Sequence, residues 1–181
     1  RDWLSGMILV VPCEARNQPT MYKNFMLFGG ILGDSDPNIL VKSDAAQEIT
    51  GAVDELGWHS EPSLANTWPH NAAHERMHAT LEACSRAQQV QAGLPDSCWE
   101  LTAPYAGMSL NTTKKAPILP WERDASGNVL EAYKQKSTQS AWEAFHGAPF
   151  KGPIQPFGRL CYYLSKDHHP LSATTVPGFF L

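Results

Sequence analysis

The sequence predicts an α/β fold, a sheet covered by helices, on three observations. Short apolar runs rich in β-branched residues, 7–13 and 39–41, alternate with longer stretches that carry helical patterning. The order strand, helix, strand, helix is the one that builds a helix-covered sheet. A hydrophobic content of 43% in 181 residues, with 18% charged, is enough to bury the core of one compact domain.

Each element has a local reason. Ile8, Val10 and Val11 make residues 7–13 a strand closed by Pro12. Phe25, Met26, Leu27 and Phe28 pack a helix over 20–32 that Gly29-Gly30 stops. Ile39-Leu40-Val41 forms a second buried strand and delivers Ser43-Asp44 at its carboxyl end. A polar helix covers 48–56 and ends at Gly57, and 62–69 is a loop. Asn71 is the N-cap of a helix that starts at Ala72 and that Gly93 ends. Its buried stripe is Met77, Leu81 and Cys84, with Glu75, Ala79 and Glu82 on the other side. Pro95-Asp96-Ser97 opens another helix through Trp99, Tyr105 and Leu110. Residues 112–138, rich in Lys, Pro and Gly, read as an extended surface excursion. A short helix over 140–145 and extended segments over 159–164 and 174–181 complete the chain.

Composition narrows the function classes. The longest strongly apolar run, 7–11, is far too short to span a bilayer. The chain opens with Arg1-Asp2, without a secretory signal, and reads as a segment of something longer. Cys13, Cys84, Cys98 and Cys161 contain no C-x-x-C, which predicts a reduced intracellular compartment. The net charge of −4 is unevenly spread: residues 1–113 carry 6 basic and 13 acidic side chains, and 114–166 carry 8 and 4. The first half therefore suits a cation, and the second suits phosphates.

One stretch carries two chemistries. His74-Glu75-Arg76-Met77-His78 fits H-E-x-x-H, in which two histidines one turn apart bind zinc and the glutamate activates water. A zinc hydrolase also needs a third ligand. Leu81 and Cys84 stand where the extended motif requires glycine and histidine, and Glu100 is the nearest distant candidate. The same letters, framed as Asn71-x-x-x-Glu75-Arg76, also fit a helix in which Glu75 itself is a hard oxygen ligand. That frame leaves His74 and His78 as solvated neighbours.

The second frame is carried by an ordered set of motifs. Asp2-Trp3-Leu4-Ser5 resembles the D-x-x-S that opens the catalytic core of copia-type LTR-retrotransposon integrases. Leu40-Val41-Lys42-Ser43-Asp44 resembles the second acidic strand end of that family, with Glu48 matching the glutamate four positions on. Pro69-His70-Asn71-Ala72-Ala73-His74-Glu75-Arg76 resembles the helix start P-x-x-N-G-x-x-E-R that carries the third acid. The likeness continues through Gly93-Leu94-Pro95, Trp99, Ala141-Trp142, Pro156-Phe157-Gly158-Arg159 and Pro177-Gly178-Phe179-Phe180-Leu181, in the family's order.

The resemblance implies a ribonuclease H-like mixed five-stranded sheet flanked by helices, with a catalytic core over 1–111 and a C-terminal extension over 112–181. It implies a polynucleotidyl transferase that integrates DNA, with Asp2, Asp44 and Glu75 as catalytic residues and ligands of two Mg²⁺ or Mn²⁺ ions. Asn71, Arg76, Lys114 and Lys115 are its expected DNA contacts. Its expected partners are double-stranded DNA (element ends and target), further copies of the chain, and the remainder of a Pol polyprotein, with no membrane. Its expected location is intracellular, and nuclear during integration. The chain departs from the family in two ways. Thirty residues separate Asp44 from Glu75, fewer than is usual. Glycines are missing at Ala45-Ala46 and at Ala72, where they would free a turn and a loop. A catalytically inactive DNA-binding or assembly module derived from an integrase is the alternative these departures support.

Overall fold

A computed structural model describes residues 1–29, 38–63, 72–164 and 175–180. It divides into two compact units, residues 1–10 with 79–181, and residues 11–78.

The second unit is a strand–helix–strand motif with one added helix. Helix α1, Gln18–Gly29, is capped by Asn17, whose Oδ1 accepts the Thr20 N–H at 3.0 Å. Strand β1, Leu40–Ser43, runs parallel to β2, His59–Pro62, with Leu40 opposite His59 and Ser43 opposite Pro62. Helix α2, Gln47–Glu55, crosses between them. Gly57, at φ +70°, lets the chain leave α2 through two reverse bonds: its own N–H to Asp54 O at 3.0 Å, and Trp58 N–H to Val53 O at 3.1 Å. That turn brings Trp58 onto Val53, and the two form the core with Leu56. Tyr22, Phe25, Met26, Ile39, Val41 and Ile49 pack around it.

The first unit is mainly helical. Helix α3, Ala72–Ala92, crosses the boundary between the units at His78–Ala79. Met77 is buried, Leu81 and Cys84 are half-buried, and Glu75, Ala79 and Glu82 are exposed, which is the stripe the sequence predicts. A 3-10 turn, Asp96–Cys98, leads into α4, Trp99–Thr113. The two helices meet through polar side chains, with Ser85 Oγ 2.7 Å from Thr102 Oγ1. After α5, Lys134–Thr138, comes α6, Ala141–His146, capped reciprocally by Ser140 and Glu143. Strand β3, Leu160–Leu164, pairs antiparallel with β4, Thr175–Phe179. Tyr105 on α4 packs its ring against Phe157 and Phe180, beside this hairpin.

The expected five-stranded ribonuclease H-like sheet is not what forms. Among the described residues there are two sheets of two strands each. The main reason lies at the amino end. Residues 7–13 form no strand, and among the described residues no strand pairs with Ile8. A buried amide on α4 takes that place: Ile8 N–H donates to Asn111 Oδ1 at 2.8 Å, and Asn111 Nδ2 donates to Ile8 O at 2.7 Å. Val10 then packs against Gly107, where an added Cβ would lie 2.9 Å from its methyl group. Pro12 lacks the N–H that would extend a ladder.

Two smaller expectations also change. Strand β2 falls partly in the predicted loop over 62–69, of which 64–69 lie outside the described residues. Residues 112–138 are more than a surface excursion, because Ala116, Leu119 and Glu122 are buried. No helix among the described residues is long and apolar enough to cross a membrane.

Candidate functional site

Asp44 follows β1 directly, at the carboxyl end of the parallel pair, where α/β motifs present their ligand-binding groups. Its backbone is fixed on both sides. Ser43 Oγ donates to Asp44 O at 2.8 Å, and Ser63 N–H donates to Ser43 O at 2.7 Å. The side chain is exposed, and no hydrogen bond or ion pair holds its carboxylate among the described residues. Four residues on, Glu48 sits in the first turn of α2 and pairs with Arg16. Its carboxyl is held below the usual range by its own backbone N–H, against desolvation and with help from Arg16. Sequence patterning does not reveal this pair, since nothing links two charges 32 positions apart.

Glu75 stands in the first turn of α3 and is exposed. His74 and His78 lie one turn apart on the same helix, with ring centroids 4.4 Å apart. Among the described residues no group of three or more His, Cys, Asp or Glu side chains is gathered to hold a metal ion. The H-E-x-x-H stretch therefore has no third zinc ligand among them. Arg76 is exposed on α3, and Asn71 lies outside the described residues.

Asp2 belongs to the other unit and lies in a turn. The D-x-x-S motif closes on itself there: Asp2 Oδ2 accepts the Ser5 N–H at 2.6 Å and also the Ser5 hydroxyl. Ser5 Oγ in turn accepts the Met7 N–H at 3.1 Å, and Asp2 N–H donates to Met7 O at 2.8 Å. Asp2 Oδ1 takes no part. Lys114 and Lys115 are exposed just beyond α4, and the Lys115 backbone bridges to Ser140. Asp44 and Glu75 thus fall in one unit, and Asp2, Lys114 and Lys115 in the other.

No family model matches the sequence, and no curated protein matches it. Among solved structures, the fold is similar to that of a chain in the cryo-EM structure of the simian T-cell lymphotropic virus intasome in complex with PP2A regulatory subunit B56 gamma. The TM-score is 0.53 at 15% identity, over 96% of this chain and 58% of that one. The chain therefore spans less than two thirds of its structural neighbour. The likeness is one of fold, to a chain of a retroviral intasome.

Proposed function

We propose that this chain is the catalytic core of a copia-type integrase, a polynucleotidyl transferase that processes element DNA ends and joins them to target DNA. The observation that carries this is the fold likeness to an intasome chain over nearly the whole sequence. The local placement of two acids, Asp44 at a strand end and Glu75 in a helix's first turn, is consistent with it.

The donor chemistry suits the implied metal, although among the described residues no three such side chains are gathered. Among the described residues Asp44 and Glu75 offer unengaged carboxylates and Asp2 keeps Oδ1, all hard oxygen donors suited to Mg²⁺ or Mn²⁺. Such ions, when bound, supply Lewis acidity to a phosphate and make a hydroxyl or water a better nucleophile. The chain's own contribution is to fix Asp44 through the Ser43 and Ser63 backbone and to keep the D-x-x-S turn closed. The partners follow from the reading: double-stranded DNA, further copies of the chain and the rest of a Pol polyprotein, inside the cell and in the nucleus during integration.

A second reading, a catalytically inactive DNA-binding or assembly module, is favoured by one observation. Asp2 Oδ2 already accepts two bonds from Ser5, which leaves that oxygen little capacity for a cation. The complete integrase acting on its own element ends, with Mg²⁺ or Mn²⁺, separates the two. Asp44→Asn and Glu75→Gln should each cut end processing and joining to about one hundredth of wild type or below, the scale for losing one transition-state charge contact. His78→Ala should leave both intact. A folded, DNA-bound wild type without activity would establish the inactive module, and full activity of Glu75→Gln would remove Glu75 from the site.

A further inference from the structure

Residues 112–164 carry seven basic and four acidic side chains, and all four acids are engaged internally. Glu122 bonds Lys136 Nζ at 2.6 Å and Glu131 bonds Lys134 Nζ at 2.5 Å. Asp124 accepts the Ser126 and Asn128 N–H groups, each at 2.9 Å, and Glu143 caps α6 with Ser140. The basic side chains are not used up in the same way. Among the described residues Arg123 and Arg159 donate only to neutral oxygens, of Gly127 and Gln155. Lys114, Lys115 and Lys151 are exposed and have no side-chain partner among the described residues.

Trp121 stands in this segment, 60% exposed. A solvated tryptophan on a loose loop would mean little, but its neighbours are rigidly held. Pro120 fixes the backbone before it. Glu122 after it is 3% exposed and makes four bonds. Its N–H donates to Leu119 O at 3.0 Å, and its C=O accepts the Leu130 N–H at 2.9 Å. Its carboxylate accepts the Leu119 N–H at 2.7 Å and Lys136 Nζ at 2.6 Å. The fold thus holds a largely exposed indole on a fixed turn, within a segment whose free charge is positive. An aromatic platform in a cationic setting is the chemistry that binds unpaired nucleotides, because every base has a face to stack. Paired bases inside a duplex offer no free face.

We infer that Trp121 is a base-stacking residue for unpaired nucleotides at DNA ends. This rests on the DNA-handling reading above but not on the three acids. The test is fluorescence anisotropy with the complete protein, using blunt duplexes and duplexes with a single-stranded overhang, over a KCl series. Trp121→Ala should weaken overhang binding about tenfold. It should leave blunt-duplex binding and the salt slope unchanged, and Trp121→Phe should keep most of the affinity. Replacing Lys114 and Lys115 by Ala should weaken both duplexes alike and lower the slope by about two. Equal binding of overhang DNA by wild type and a folded Trp121→Ala variant would overturn the inference, as would equal loss on both duplexes. If Trp121→Ala shows no selective loss while Asp44→Asn abolishes cleavage, only the stacking role fails. Selective loss with dispensable acids would sink the catalytic reading instead.

Discussion

The two units hold themselves together by different means. Residues 11–78 rely on an apolar cluster, in which Val53 is fully buried, Leu56 and Trp58 nearly so, and Phe25 meets Trp58 edge-on at 5.9 Å. In the unit made of residues 1–10 and 79–181, buried polar groups do much of the same work. Asn111 is 2% exposed and serves the Ile8 backbone, Thr102 is fully buried against Ser85, and Glu122 is 3% exposed against Lys136. Apolar contacts are forgiving of geometry and lose energy in proportion to the volume removed. Buried polar contacts add little net stability when made, but cost heavily when one partner is lost. The two units should therefore fail differently under mutation.

The largest effect is expected in the apolar cluster. Trp58→Ala removes the residue that reaches back onto Val53 and the edge contact with Phe25. It should destabilise the protein by about 4 kcal/mol, the range for a large aromatic replaced by alanine in a core. Urea denaturation measures this, and hydrogen exchange should place the loss of protection in α1 and α2. A loss under about 1 kcal/mol would mean that the cluster is not what holds that unit.

How far this contrast can be read from sequence depends on the range of the interaction. Helices α2, α3 and α6 are legible because their periodicity, caps and terminal glycines are local: Gly57, Gly93 and the Ser140–Glu143 box lie within a turn of the ends they define. Asp44 and Glu75 are legible for the same reason, as a strand end and a helix start. Strand β2 is not, since His-Ser-Glu-Pro has neither alternation nor β-branched residues and becomes a strand only by pairing with β1. Residues 7–13 have strand composition, but the partner that decides their state is one amide 103 positions from Ile8. An asparagine within a helix looks like a solvated residue until the fold buries it. Glu122 and Lys136 are hidden likewise, in a stretch whose composition reads as surface. How Asp2 stands to the other two acids is a tertiary relation that no local pattern encodes.

The Glu122–Lys136 pair gives the middle effect and ties it to pH. Burial alone would push the Glu122 carboxyl up. The Lys136 hydrogen bond, the Leu119 N–H and the Lys136 charge outweigh it and hold the carboxyl below its ordinary range. A folded-state pKa below the unfolded one stabilises the protein above the unfolded value, about 4.3 for glutamate. That stability is lost as pH falls through the folded value. Lys136→Met removes the attraction and leaves the burial, which reverses the sign for this group. The variant should lose about 3 kcal/mol at neutral pH, as for a buried pair stripped of one partner. The deficit should shrink as Glu122 takes up a proton in acid. Urea midpoints of both proteins at pH 7 and pH 4 test this, and a gap that stays constant across that range would rule it out.

The smallest effect is the sharpest test of whether the polar contacts are individually needed. Ser85 Oγ and Thr102 Oγ1 are 2.7 Å apart in a buried setting, but their alternatives are unequal. Thr102 Oγ1 can also donate to Trp99 O at 3.2 Å, within its own helix, whereas Ser85 Oγ has no other partner among the described residues. Ser85→Ala should therefore cost under about 1 kcal/mol, because Thr102 keeps a bond. Thr102→Val keeps the shape but strands the buried Ser85 hydroxyl, and should cost about 1–2 kcal/mol. In the double variant no hydroxyl is left without a partner, so Thr102→Val should cost less on the Ser85→Ala background than alone. Thermal unfolding of the four proteins closes this cycle. Additive losses would mean that the two hydroxyls act separately and that apolar packing between α3 and α4 sets the stability there, as it does around Trp58. A coupled cycle would place the energy in the shared hydrogen bond and keep the two units distinct in kind.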